Sequence, residues 1–177
     1  METLENIYTR RSIRAYLNRP VEQAVLEEVL SSALYAPSWK NTQTANYIVV
    51  STPEMKQTLL EALPPFNAKT ASTAPVIIVM TTKKGRSGYE RDGSFSTKKE
   101  DRWEMFDAGI ACVALCLAAW EKGLGTCIMG IYDEDKLPGL LNVPEDQYVT
   151  AVIPLGYPDQ SPAAPKRKTL EEKVRYV

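Results

Sequence analysis

The sequence predicts an α+β fold. Two observations carry that expectation. Long segments with apolar residues at helical spacing are interrupted by short runs rich in Val, Ile and Tyr, the residues that suit a pleated, half-buried surface. Strand-like and helix-like segments also follow one another without regular β-α-β alternation, which argues against a doubly wound parallel sheet. At 177 residues the chain is long enough to bury a sizeable core, and no repeat or linker divides it, so residues 1–177 are read as one domain.

Each element follows from its residues. Leu4, Ile7 and Tyr8 mark a short amphipathic segment near the amino terminus. Residues 21–36 read as a helix: Leu26, Val29, Leu30 and Ala33 share one face, and Glu22, Gln23, Glu27 and Glu28 take the other. Pro37 closes it, because a proline pushes the preceding residue out of helical geometry. Residues 47–51 form a strand, and residues 53–63 a helix that Pro64-Pro65 ends. Residues 75–81 are a second strand whose continuous Val-Ile-Ile-Val-Met run implies burial on both faces. Residues 83–101 are polar, carry Gly85, Gly88 and Gly93 and show no period, the pattern of a lid, a binding loop or a disordered segment. Residues 103–122 form the longest helix, apolar all round in its second half and therefore expected to be buried in the core or across a subunit interface. Gly123 stops it. Strands at 126–131 and 148–155 flank a short helix at 133–141, and the tail from 158 to 177 is proline-rich, then basic, then weakly helical.

Composition excludes several function classes. With 21 Lys and Arg against 22 Asp and Glu, the net charge of −1 argues against nucleic-acid binding. The chain has no histidine, which removes the Ser-His-Asp triad, the imidazole acid–base pair and most catalytic zinc sites, so no metal is expected. Cys112, Cys116 and Cys127 sit among apolar neighbours and read as small core residues. There is no signal-peptide pattern at the amino terminus, and the most apolar run, 108–120, is too short to span a bilayer. The expectation is a cytoplasmic protein with no membrane partner.

Charge points instead to an anion. Arg10-Arg11-Ser12-Ile13-Arg14 places three guanidinium groups and a hydroxyl close together, and no acidic residue occurs from Asn6 to Val21. Arginine is permanently charged and grips phosphate with paired hydrogen bonds. The known nucleotide cradles are missing: Gly123-Leu124-Gly125 leads into a strand, not out of one, and there is no Walker A sequence. A second basic cluster, Lys166-Arg167-Lys168, follows Pro162 and Pro165, and a tail folded back would bring both clusters to one phosphate. Taken alone, the tail tripeptide reads as solvated surface, whereas the amino-terminal cluster is less easily dismissed, ordinary surface salt bridging being its even rival.

Five motifs in register resemble the FMN-dependent nitroreductase family. Arg10 to Arg14 is similar to that family's phosphate-binding stretch, and Ala36-Pro37-Ser38-Trp39-Lys40-Asn41-Thr42-Gln43 to its segment that approaches the flavin from the partner subunit. Asp107-Ala108-Gly109 with Gly123-Leu124-Gly125-Thr126 is similar to its central helix and exit, Ile128-Met129-Gly130 to its strand end beside the isoalloxazine, and Lys166 and Lys168 to its carboxy-terminal basic pair. The resemblance implies a mostly antiparallel central sheet flanked by helices, with the long buried helix at a homodimer interface. It further implies that Arg10, Ser12, Lys166 and Lys168 hold the FMN phosphate and ribityl end, with Arg11 adding positive charge. Arg14 would stand at the pyrimidine edge, where a cation stabilises the negative charge of reduction. The backbone N–H of Met129 or Gly130 would face flavin N5, and Asn67 would make a polar flavin contact. Pro37, Ser38, Trp39 and Asn41 would come from the second subunit.

The implied activity is ping-pong transfer of hydride from NADH or NADPH, through FMN, to a nitroaromatic, a quinone or a similar small acceptor. Rival readings keep the fold but change the chemistry to dehalogenation or flavin modification, or leave a non-catalytic flavin- or anion-binding module. Gln43-Thr44-Ala45 departs from the family's Gln-Pro-Trp, Trp39 is bulky where a small residue is common, and Lys168 stands where Arg is usual.

Overall fold

The computed structural model describes residues 2–177. In chain order it contains α1 (Thr3–Thr9), α2 (Gln23–Ala33), a 3-10 turn (Trp39–Asn41), β1 (Ala45–Val50), α3 (Pro53–Leu60), α4 (Pro65–Ser72) and β2 (Val76–Lys83). There follow α5 (Arg102–Glu121), β3 (Gly125–Thr126), α6 (Lys136–Leu140), β4 (Gln147–Gly156) and α7 (Leu170–Lys173). The four strands form one sheet in the order β1-β2-β4-β3, and every neighbouring pair is antiparallel. The α+β expectation is therefore met.

The sheet has two covered faces. On one, Val76, Ile78 and Met80 of β2 and Ala151, Ile153 and Leu155 of β4 pack against Leu26, Val29 and Ala33 of α2 and Ala108, Cys112, Leu115 and Cys116 of α5. On the other, Ile77, Val79 and Val152 meet Leu59 of α3, Ala71 of α4 and Leu137 of α6. This is why β2 reads as an unbroken apolar run. Each fully buried Leu or Ile contributes about 1.5–3 kcal/mol relative to an exposed one. A bulge keeps both faces apolar: Met80 pairs with Ala151 but Thr81 pairs with Val149, so Thr150 is left over. The extra residue shifts parity and turns Val149 to the same face as Val152.

Two sequence expectations change. The Pro64-Pro65 pair ends one helix, but Pro65 is also the first residue of α4; its missing N–H costs nothing there and its fixed φ suits a helix start. The strand expected over 126–131 stops after two residues, and only Met129 rejoins the sheet, through a bridge to Val152. At 20 residues α5 is long and apolar enough by composition to cross a bilayer. Its inner face is spent on the core, while Phe106 and Val113 on the outer face are 58% and 52% exposed. It is thus buried on one side only.

The segment after α1 positions the site. It runs beside β3, with a parallel bridge between Ser12 and Thr126 and the Ile13 N–H donating to the Thr126 carbonyl at 2.9 Å. Ile13 is fully buried over Gly125, where an added Cβ would stand 2.4 Å from Ile13 Cγ1, so only glycine lets this strand-like segment lie flat. Tyr16 locks the far end: its hydroxyl lies 2.7 Å from the Ile13 carbonyl and 3.0 Å from that of Pro154. Burial pushes its phenol well above the usual range.

Candidate functional site

Fixing Ile13 inward turns its neighbours outward. Arg10, Arg11, Ser12 and Arg14 line a cavity of about 250 Å³, closed by Pro162, Ala163, Pro165 and Arg167 of the returning tail. Every charged residue in this lining is a cation. Arg11 spends its guanidinium on the carbonyls of Tyr8 and Arg10, at 2.8 and 2.9 Å, and so shapes the turn out of α1. Among the described residues the guanidinium groups of Arg10 and Arg14 have no hydrogen-bond or ion-pair partner. The two arginines still mark their surroundings. The two thiols Cys112 and Cys116 perturb each other, pulling Cys116 down and pushing Cys112 up, and the Arg10 charge lowers both. Burial pushes the Cys127 thiol up and Arg14 opposes it. Arg10 thus stands near α5 and Arg14 near the chain that leads to Gly130.

The tail does fold back onto the arginine cluster, but the basic residue it delivers is Arg167. Lys166 and Lys168 do not line the cavity, and Lys168 is held 3.1 Å from Glu172 within the capping box of α7. Sequence reading passed over Arg167 because it sits between the two matching lysines; Pro162 and Pro165, which stiffen the approach, were the available signal.

Downstream of Cys127 the two backbone candidates separate. The Met129 N–H donates to the Val152 carbonyl at 2.9 Å and is consumed by the sheet. The Gly130 N–H has no partner among the described residues, and the space around its Cα is open. Asn67, which lies in α4, donates to the Ile131 carbonyl at 2.8 Å, so it stands beside Gly130 with its side-chain oxygen uncommitted.

Pro37, Ser38, Trp39 and Asn41 lie apart from this group. None of them lines the arginine cavity; Pro37 and Ser38 line pockets against α5 of about 210 and 240 Å³, the second shared with Trp39, Phe106 and Ile110. The turn is strained, with φ of 44° at Lys40, 56° at Asn41 and 49° at Gln43. Such left-handed residues persist only where surrounding contacts over-determine them. Here Ser38 Oγ accepts the Gln43 N–H at 2.9 Å, and Trp39 packs against Trp103 at a tilt of 47° with centroids 4.7 Å apart. One buried carboxylate does more. Asp107 Oδ2 accepts the Trp39 N–H at 2.8 Å and also the Ser87 hydroxyl, joining this turn and the 83–101 segment to α5. One helical turn earlier, buried Glu104 accepts the Gly85 N–H at 2.6 Å. The polar, aperiodic segment 83–101 is therefore anchored from beneath by two acidic residues.

Comparison with known proteins agrees with this arrangement. The sequence signature of the Nitroreductase family matches residues 7–69 and 61–157, and the chain belongs to that family. It is 35% identical over 166 residues to a Methanothermobacter thermautotrophicus protein named as an NADH dehydrogenase/NAD(P)H nitroreductase, covering 92% of this chain and 80% of the relative. Its fold matches an FMN-dependent nitroreductase from Clostridium difficile R20291 with a TM-score of 0.78 at 29% identity, covering 98% of each chain. It is also 27% identical over 198 residues to iodotyrosine deiodinase 1 of Rattus norvegicus, covering 97% of this chain and 68% of the relative. An oxidoreductase of nitroreductase type is the class these likenesses define.

Proposed function

We propose that the protein is a homodimeric FMN oxidoreductase that takes hydride from NADH or NADPH and passes it to a nitroaromatic, a quinone or a similar acceptor. The observation that carries this reading is the all-cationic cavity of Arg10, Arg14 and Arg167 beside an unpartnered Ser12 hydroxyl, in a chain of this family. The donor set fits a flavin mononucleotide. Two unpaired guanidinium groups and a hydroxyl suit a dianionic phosphate, and the open backbone at Gly130 admits a ring that a side chain would obstruct.

FMN held there would supply the two-electron chemistry, accepting hydride in one half-reaction and delivering it in the next. The protein's part is electrostatic and steric. Arg10 and Arg167 hold the phosphate, Arg14 sets a fixed positive charge nearer the reactive end, and the Gly130 N–H donates a hydrogen bond. Asn67 keeps its amide tied to Ile131 and offers its oxygen. No side-chain acid or base is required, in keeping with the missing histidine. Ser38, Trp39 and Asn41 complete the pocket from a second copy, because within one chain none of them lines the arginine cavity. The exposed outer face of α5, with Phe106, Ile110 and Val113, is the surface on which that copy sits, and the Pro37–Trp39 pocket adjoins it. Three buried free thiols fit a reducing compartment, the cytoplasm.

Purified protein tests this directly. It should be yellow, release FMN on denaturation and be bleached anaerobically by NADH or NADPH. Colourless protein that takes up no added FMN would refute the reading. Replacing Arg10 by Ala should weaken FMN binding at least tenfold, the loss expected for one charge-assisted bond. The likeness to iodotyrosine deiodinase makes reductive dehalogenation the second reading, and an acceptor panel of nitroaromatics, quinones and iodinated phenols separates the two.

A further inference from the structure

A much roomier cavity lies outside the arginine site. It has a volume of about 890 Å³ and runs between Lys40 and Thr42 of the strained turn and the 85–93 loop. Its size is that of a ligand pocket, yet its lining is polar and mostly charged. Its two carboxylates are already engaged. Glu90 accepts Lys40 Nζ at 3.0 Å and the Ser96 hydroxyl, and Asp92 accepts the N–H and hydroxyl of Ser94 at 3.0 and 2.6 Å. Those hydrogen bonds hold both acids below the usual carboxylate range, so they remain ionised and occupied.

Two cations in the lining have nothing to bind. Arg86 and Arg91 make no side-chain hydrogen bond and no ion pair among the described residues. The Thr42 hydroxyl, which faces no solvent, is also without a partner. The wall that carries the arginines is rigid: Gly85 and Ser87 are fixed to Glu104 and Asp107, and Tyr89 bridges to Phe95 with ring centroids 4.8 Å apart. Two unpaired guanidinium groups on a loop tied to α5, in one lining, make an anion receptor.

We infer that this cavity binds the anionic group, phosphate or carboxylate, of a substrate, with Arg86 and Arg91 as its ligands. The placement rests on the proposed function: Lys40 precedes Asn41 in the turn that faces the second copy's flavin, so a molecule anchored here reaches toward that ring. Both half-reactions offer such a group. A phosphorylated nicotinamide dinucleotide carries one phosphate more than its unphosphorylated form, and an acidic acceptor carries a carboxylate. A guanidinium can grip either group bidentately, and the same pocket serves each reactant in turn.

Two measurements on the full-length protein test this. Calorimetric titration with inorganic pyrophosphate reads the cavity without any flavin. In an R10A background, which cripples the other anion site, binding should persist and then fall at least tenfold on adding R86Q and R91Q; unchanged binding overturns the inference. Because this readout needs no FMN, it stands or falls separately from the flavin reading. On FMN-loaded dimers, kcat/KM is then compared for NADPH against NADH and for 4-nitrobenzoate against 4-nitrobenzyl alcohol. A loss of tenfold or more confined to NADPH assigns the site to the dinucleotide, and one confined to 4-nitrobenzoate assigns it to the acceptor. Equal losses for charged and neutral partners, or none, overturn it.

Discussion

Single residues in this protein hold more than their own neighbourhoods. Asp107 is the clearest case, since one buried oxygen serves both the backbone of the strained turn and the 83–101 segment. Replacing it by Ala leaves two donors without an acceptor and should cost about 2–4 kcal/mol, read as a lower urea midpoint. Asn keeps one acceptor oxygen and should lose less. Glu22 is a surface counterpart. The Tyr157 hydroxyl donates to it at 2.6 Å, Arg19 adds a second bond, and together they lower its carboxyl from 4.5 to about 2. A depressed folded value stabilises the protein above the unfolded value and loses that contribution as pH falls. Thermal stability should therefore decline between pH 4.5 and about 2 through this group, and Tyr157→Phe should flatten that part of the profile. Neither role was legible in sequence: Asp107 read as part of a helix motif and Glu22 as one of several acids on a wet face.

At the scale of elements, the site depends on a close approach between two stretches far apart in the chain. Gly125 lets residues 10–16 lie along β3, and a methyl there would meet Ile13 Cγ1 at 2.4 Å and Ile13 Cβ at 2.7 Å. Gly125→Ala should cost about 2 kcal/mol by overpacking and should also weaken FMN binding, because Arg10 and Arg14 flank the displaced Ile13. Normal flavin binding in a destabilised Gly125→Ala protein would show that the arginine segment is held from elsewhere. The elements themselves were largely readable. The amphipathic face of α2 and the apolar run of β2 are periodic signals that survive folding. α4 was hidden because two prolines end one helix and begin the next, and β3 was overextended because, of residues 127–131, only Cys127 and Met129 turn inward and only Met129 rejoins the sheet.

For the whole molecule, the decisive question is whether the proposed flavin site is shared between two chains. The arginine cavity and the Pro37–Asn41 turn are both well built, yet they line different spaces in one protomer. Two defective variants can answer this: Arg10→Ala with Arg14→Ala, and Ser38→Ala with Asn41→Ala. Refolded together, they form mixed dimers in which one site carries every lesion and the other none. Activity should return to roughly a quarter of wild type for random assembly of a two-fold dimer. If each site lay within one chain, mixing would restore nothing.

The sequence alone determined the fold class, the order of most elements and the presence of a cationic cluster near the amino terminus. These depend on local periodicity and on residue chemistry, which neighbours in the chain express directly. Tertiary structure alone decided that Arg167 of the tail, and neither Lys166 nor Lys168, closes on Arg10. It also separated Gly130, with a free N–H, from Met129, whose N–H is spent on β4. The bulge at Thr150, the anchoring of 83–101 by Glu104 and Asp107, and the unpartnered state of Arg86 and Arg91 belong to the same group. Each is a relation between residues distant in sequence, set by which hydrogen bonds the sheet consumes and which groups the packing leaves over.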